Sequence, residues 1–347
     1  MKGGWARRLQ LISRVGWAGL THRVRPKVRQ LILHVTKKCN FRCRHCFVDF
    51  SEIPKDMTLE TIRGIARTVG RLIWLDIGGG EPFLRKDLVE LVSLFRFEEV
   101  SIPTNAWFTD QVVKTANRLA ARFPGKVTIV CSVDGPRRTH DEIRREPGSF
   151  DRLMETYQLL EKIDNLRVVF LSTLCDRNAE ELLDLLRFTR TLKPDYHAVN
   201  IMRGKPIDPT YRLMTQNAKL FYEELKKFYG EDGYGKRLGI GRIPLNYVNF
   251  RWQTSIRTLE EERQVIPCLG GTATLVIQPN GDVGPCETLP PVANLYKMPL
   301  GDILKAEPFR EVVRSVEAGD CFCTHECNLK SSIFLNPKLY PKLVAHP

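Results

Sequence analysis

The chain has 347 residues, 43% of them hydrophobic and 27% charged, enough for a large globular domain with a smaller one. It contains no uncharged apolar run of the roughly eighteen residues that a spanning helix needs. Net charge is +13, but twelve basic residues (Lys2, Arg7, Arg8, Arg14, Arg23, Arg25, Lys27, Arg29, Lys37, Lys38, Arg42 and Arg44) precede the first acid, Asp49, so the rest is nearly neutral.

Residues 4–20 place Trp5, Leu9, Ile12 and Val15 at helical spacing with arginines between, predicting a basic amphipathic helix in an N-terminal arm spanning 1–28. Such an arm packs on the body of the protein, or makes peripheral contact with an anionic membrane through residues 1–25. From residue 30 to 205 a strand-then-helix rhythm repeats. Strands are expected at 31–35, 72–77, 99–104, 126–133, 166–173 and 196–202, and helices at 58–69, 86–95, 109–122, 149–163 and 178–190. Near-continuous apolar strands alternating with amphipathic helices predict an α/β fold with a parallel sheet. Six such units make an open doubly wound sheet or a partial (β/α)6 barrel resembling a TIM barrel, and both gather chemistry at the carboxyl ends of the strands. Residues 205–265 are less regular, with a helix near 213–229 and an aromatic patch, NYVNFRW, at 246–252 that either lines a cavity or belongs to the core.

The segment CNFRCRHCF follows the first strand and spaces Cys39, Cys43 and Cys46 as C-x3-C-x2-C. Ten cysteines in tight groups, with no signal-peptide pattern, suit metal coordination in a reducing cytoplasm better than disulfides. Thiolates bind zinc or iron–sulfur clusters, and a closed zinc site needs a fourth ligand. A 4Fe–4S cluster on three thiolates leaves one iron open.

With GGGEP after the second strand and Thr104-Asn105 after the third, this triplet resembles the radical S-adenosylmethionine (SAM) superfamily. The resemblance implies a 4Fe–4S cluster on Cys39, Cys43 and Cys46 whose open iron chelates SAM. Reductive cleavage then yields a 5′-deoxyadenosyl radical that abstracts a substrate hydrogen. It implies cofactor contacts from Gly79, Gly80 and Glu81, and from Asn105, although Ala106 stands where the family signature has glycine. SVDGP (132–136), THD (139–141) and GSF (148–150) resemble the fourth-strand region of a subfamily with extra clusters. There Ser132 and Asp134, inward together by alternation, suit the ribose. Thr173 and Arg144 are further candidates, Arg144 for the cofactor carboxylate.

A second group comprises Cys268, Cys286, Cys321, Cys323 and Cys327. A PNGD turn predicts a hairpin that delivers Cys286 near Cys268. With Gly281 five residues before Cys286 and LGDIL at 300–304, this region resembles the short SPASM/twitch-like extension. The resemblance implies one auxiliary 4Fe–4S cluster on Cys268, Cys286, Cys327 and either Cys321 or Cys323; four-cysteine zinc is the other occupant of such spacing. The expected division is 1–28 arm, 29–240 radical SAM core and 241–347 small cysteine-rich auxiliary domain.

Of the remaining thiols, Cys131 is out of phase with Ser132 and expected to be a buried small hydrophobe. Cys175 falls on the inward phase after the fifth strand, a candidate hydrogen donor to a substrate radical or a plain loop thiol. The family implies an oxidoreductase-like enzyme that oxidises or epimerises a sugar, aminocyclitol or lipid-linked small molecule. It implies an electron-donor partner of reductase, flavodoxin or ferredoxin type, and a cytoplasmic location, with or without peripheral attachment to the inner face of the membrane. Thirty residues ahead of the first strand are few for a leader-binding domain, which places a peptide (RiPP) maturase second. A non-catalytic metal-containing protein that binds nucleic acid or membrane is the alternative of another class; nucleic acid is disfavoured as a partner.

Overall fold

The alternating pattern resolves into one nine-stranded sheet in the computed structural model, which describes residues 5–22, 24–231 and 243–344. Six parallel strands come first: β1 (Gln30–Thr36), β2 (Arg71–Gly79), β3 (Arg96–Thr104), β4 (Val127–Ser132), β5 (Leu166–Leu174) and β6 (His197–Ile201). They lie in sequence order, and β6 forms an open edge, so the barrel is partial. Every residue of β1 is buried, as expected of a strand covered on both faces.

Local chemistry sets the helices. Thr58 caps the helix Leu59–Val69 by accepting from the Thr61 amide at 3.2 Å, and Ile62, Ile65, Ala66 and Val69 form its buried stripe. The helix expected from 178 starts at Leu182 instead. Asn178 is committed elsewhere: its side-chain amide donates to the carbonyls of Asp134 at 2.8 Å and Thr173 at 2.9 Å.

The predicted hairpin forms between β7 (Thr274–Ile277) and β8 (Asp282–Gly284), followed by a short β9 (Ala293–Asn294). It does not stand apart from the barrel. β7 pairs in parallel with β1, Leu31 opposite Leu275, and so extends the same sheet. The expected boundary at 240–241 lies outside the described residues.

The aromatic patch at 246–252 is helical, within Ile243–Glu261, and belongs to the core. Trp252 is sealed against Phe221 and Tyr222, while Tyr247 and Phe250 pack toward Leu329 and Ile333. The N-terminal helix Trp5–His22 packs Leu11, Val15 and Ala18 on Ile73, Trp74 and Ala273, near the amino ends of β2 and β7. Trp17 and Leu20 face outward, 69% and 63% exposed. The first four residues of the arm lie outside the described residues. No described helix is long and apolar enough to cross a membrane.

Candidate active site

Cys39, Cys43 and Cys46 sit on the loop leaving the carboxyl end of β1. The loop is pinned by its backbone: Arg44 N donates to Ile143 O (2.8 Å), while its own carbonyl and that of Cys46 accept from Asp208 N (2.9 Å) and Ile207 N (2.8 Å). Arg42 folds back on the carbonyls of Cys39 and Phe41, and Arg44 pairs with Asp208 at 2.8 Å. Amides of Phe41 and Val48 point at the Cys39 and Cys46 sulfurs, at 3.4 and 3.5 Å. Burial pushes the Cys39 thiol up to about 11 and Cys43 to about 12, with the Arg144 guanidinium acting in the opposite sense. Thiols this hard to ionise become ligands when a metal's positive charge replaces the proton.

The glycines of GGGEP are required by closeness. A Cβ on Gly79 would lie 2.1 Å from the Thr36 carbonyl oxygen, and one on Gly80 2.1 Å from that of Lys38. Gly79 also has φ +118°, and the Gly80 and Glu81 amides bond to those same two carbonyls. Glu81 is buried, accepting from the amides of Asn105 (2.8 Å) and Phe83 (3.2 Å). Burial raises its carboxyl to about 7, against those hydrogen bonds. Asn105 reaches back to Asn40 beside Cys39 at 2.9 Å, so the second and third strand ends brace the cysteine loop. Ala106 holds φ +60°, the left-handed region that explains glycine in the family signature.

Asp134 departs from the expected ribose role. β4 ends at Ser132, so alternation no longer sets its direction, and Asp134 is 0% exposed. Its Oδ1 accepts from the Thr173 amide at 2.9 Å, while Oδ2 meets Arg144 Nη2 at 2.6 Å and His45 Nε2 at 3.3 Å. Burial would raise this carboxyl, but Arg144 and His45 hold it far below the usual range. Arg144 in turn places Nη1 3.8 Å from Cys43 Sγ. Asp134 therefore braces the cysteine loop, joining it to the helix Arg137–Arg144 and β5. Ser132 stays half-buried at the end of β4, and Thr173 is engaged through its backbone. Asp141 accepts from Gly148 N, Ser149 Oγ and Phe150 N at 2.8–2.9 Å, so the THD and GSF segments hold each other. Cys131 is sealed in the core, as expected. Cys175, directly after β5, is also fully buried, packed with Ile143 and Tyr211.

In the second group, two side chains tie four cysteines together, three through sulfur and Cys268 through its backbone amide. Gln264 accepts from the Cys268 amide at 3.1 Å and donates to Cys321 Sγ at 3.8 Å. Thr288 Oγ1 lies 3.2 Å from Cys286 Sγ and also bonds Cys323. Cys268, Cys321 and Cys323 line one cavity. Cys327, expected among the ligands, has Asp76, Lys330 and Glu287 as its strongest charged neighbours. Among the described residues no three His, Cys, Asp or Glu side chains converge on a single ion-sized point.

Glu287, next to Cys286, passed unnoticed in the sequence. It is buried and meets His34 Nε2 on β1 at 2.5 Å, Arg203 Nη2 beyond β6 at 2.7 Å, and His325. Burial opposes its ionisation, but His325 and Arg203 hold its carboxyl well below the usual range. An acid directly after a cysteine in a buried hairpin was the available signal.

Against family models, residues 33–189 match the radical SAM superfamily, and 268–328 match the SPASM iron–sulfur cluster-binding domain. The chain belongs to the radical SAM superfamily. This radical SAM protein, with its C-terminal SPASM domain, is 26% identical over 312 residues to an AdoMet-dependent heme synthase of Methanosarcina barkeri, covering 83% of each chain. It is 24% identical over 314 residues to the sporulation killing factor maturation protein SkfB of Bacillus subtilis, covering 86% of this chain and 69% of that one. Its fold resembles SuiB of Streptococcus suis, solved with S-adenosylmethionine, at a TM-score of 0.65 and 16% identity, over 87% of this chain and 72% of SuiB. Membership entails a 4Fe–4S cluster with SAM and auxiliary cluster chemistry. The close glycine approach, the guanidinium beside Cys43 and the thiol-lined cavity fit those groups.

Proposed function

We propose that this radical SAM enzyme oxidises a small polar molecule, a sugar, aminocyclitol or lipid-linked compound, bound at the carboxyl ends of the strands between the two thiol groups. When bound, the cluster on Cys39, Cys43 and Cys46 with SAM supplies hydrogen-atom abstraction. The protein's own residues do the rest. Gly79 and Gly80 admit the cofactor's amino-acid end against the backbone, Arg144 offers its carboxylate a cation, and Asn105 and Ser132 flank it. Four of the C-terminal cysteines would hold one auxiliary cluster, which would supply an acceptor for the substrate's second electron.

One observation carries the oxidative reading: Glu287, following Cys286, is bonded directly to His34 of β1, the strand that launches the first cysteine loop. The first cysteine loop and the hairpin that leads to Cys286 thus spring from one sheet, and in this reading the substrate stands between them. The sealing of Cys175 speaks in the same direction, since an epimerase must return a hydrogen atom to its substrate. Similarity to the maturation protein SkfB and to SuiB, which is also solved with the precursor peptide SuiA, favours a second reading, a peptide maturase. Either reading needs a reductase or a flavodoxin- or ferredoxin-type donor, and the ten unpaired cysteines suit the cytoplasm.

The test uses anaerobically reconstituted protein with dithionite and SAM. About eight irons per chain are expected, against about four if zinc fills the second group. The small-molecule fraction of a cell extract should accelerate 5′-deoxyadenosine formation. Acceleration by the peptide fraction alone selects the maturase reading. No 5′-deoxyadenosine from fully loaded protein favours a non-catalytic metal protein.

A further inference from the structure

We infer that the Asn328 side-chain amide donates a hydrogen bond to sulfur of the auxiliary cluster, a positioning role that raises the cluster's reduction potential. Asn328 lies on the helix Glu326–Phe334, is 3% exposed, and neither its Nδ2 nor its Oδ1 has a partner within the protein. A buried primary amide with both ends unpaired is strongly unfavourable, so its partner is to be sought in a bound group.

The surroundings name that group. Asn328 lines the same cavity as Cys268, Cys321 and Cys323. A methyl built on Gly270 would lie 3.5 Å from Cys268 Sγ and 3.8 Å from Asn328 Nδ2, so amide and thiol border the same small space. Gly270 N already points at Cys268 Sγ from 3.4 Å, and Asn328 supplies a second N–H toward sulfur. Donors to cluster sulfur stabilise the added negative charge of the reduced state and so raise the potential. This rests on the reading above that the second thiol group holds an iron–sulfur cluster.

The experiment uses the full chain carrying Cys39→Ala, Cys43→Ala and Cys46→Ala, reconstituted so that only the auxiliary cluster is present, and follows reduction by EPR during a potentiometric titration. Asn328→Leu should lower the midpoint potential with iron and sulfide content unchanged. Asn328→Asp keeps the shape, removes the donor and adds charge, and should lower it further. A potential equal to or above the parent's in either variant overturns the inference. So does loss of iron from both variants, which would make Asn328 scaffolding. A parent without auxiliary iron instead overturns the cluster reading itself, taking this inference with it.

Discussion

His34 and Glu287 are separated by 253 residues, yet the His34 Nε2 and Glu287 Oε1 atoms meet at 2.5 Å. This contact joins the strand before the first cysteine loop to the hairpin carrying Cys286, and Arg203 and His325 close around the same carboxylate. Glu287→Ala removes the counter-charge from the Arg203 guanidinium and should cost about 3–5 kcal/mol in urea unfolding. Glu287→Gln should cost less, because its carbonyl still accepts. Equal stability of wild type and Glu287→Ala would show the network to be idle.

The Asp134–Arg144 pair should behave similarly at the first thiol group. Asp134 is ionised well below the ordinary carboxylate range, so its stabilisation is present above the unfolded-state pKa and lost as pH falls below it. Asp134→Asn should therefore narrow the stability difference between pH 6 and pH 3, measured by urea midpoints at each pH. Asp134→Ala should weaken reconstitution of the first cluster, read by iron content, since it frees Arg144 and His45 beside Cys43.

Glu81 has the opposite sign. Its folded-state carboxyl sits near 7 against an ordinary 4.5, so the native state holds a proton that the unfolded chain releases. That contribution is full below about 4.5 and is lost as pH rises through about 7, a change of about 3 kcal/mol. Glu81→Gln should remove this slope from stability measured between pH 4.5 and 7.5, while losing one acceptor for the Asn105 or Phe83 amide at about 1–3 kcal/mol. A wild-type curve already flat over that window contradicts a protonated Glu81.

The arm offers a surface test. Trp17, Leu20 and Val24 are exposed, with exposed Arg25 and Lys27 alongside, and we propose that this face meets an anionic bilayer. Flotation with anionic vesicles should retain wild-type protein and fall several-fold in Trp17→Ser/Leu20→Ser, with little retention on neutral vesicles. Equal flotation of both proteins removes the membrane contact and leaves the helix as packing.

Patterns with a short period were legible in the chain. Six strands and the intervening helices followed from apolar spacing, because burial on both faces of a parallel sheet enforces it. The cysteine triplet and GGGEP were legible because metal ligands and close backbone approaches admit few residue types. Asp134 was misdirected because alternation holds only while a strand lasts, and β4 stops two residues earlier. Cys175, just past β5, is the buried loop thiol that its position also allowed.

What the amino-acid order determined by itself was therefore the repeating sheet, the glycine turn that ends β2 and the two sets of thiols. Tertiary structure decided which side chains share a charge: that Asp134 braces the first cysteine loop, that Glu287 binds β1, and that β7 extends the barrel sheet. Ligand spacing and hydrophobic period are local properties of the chain. Burial and pairing of charges depend on partners brought from far along it, which no local pattern encodes.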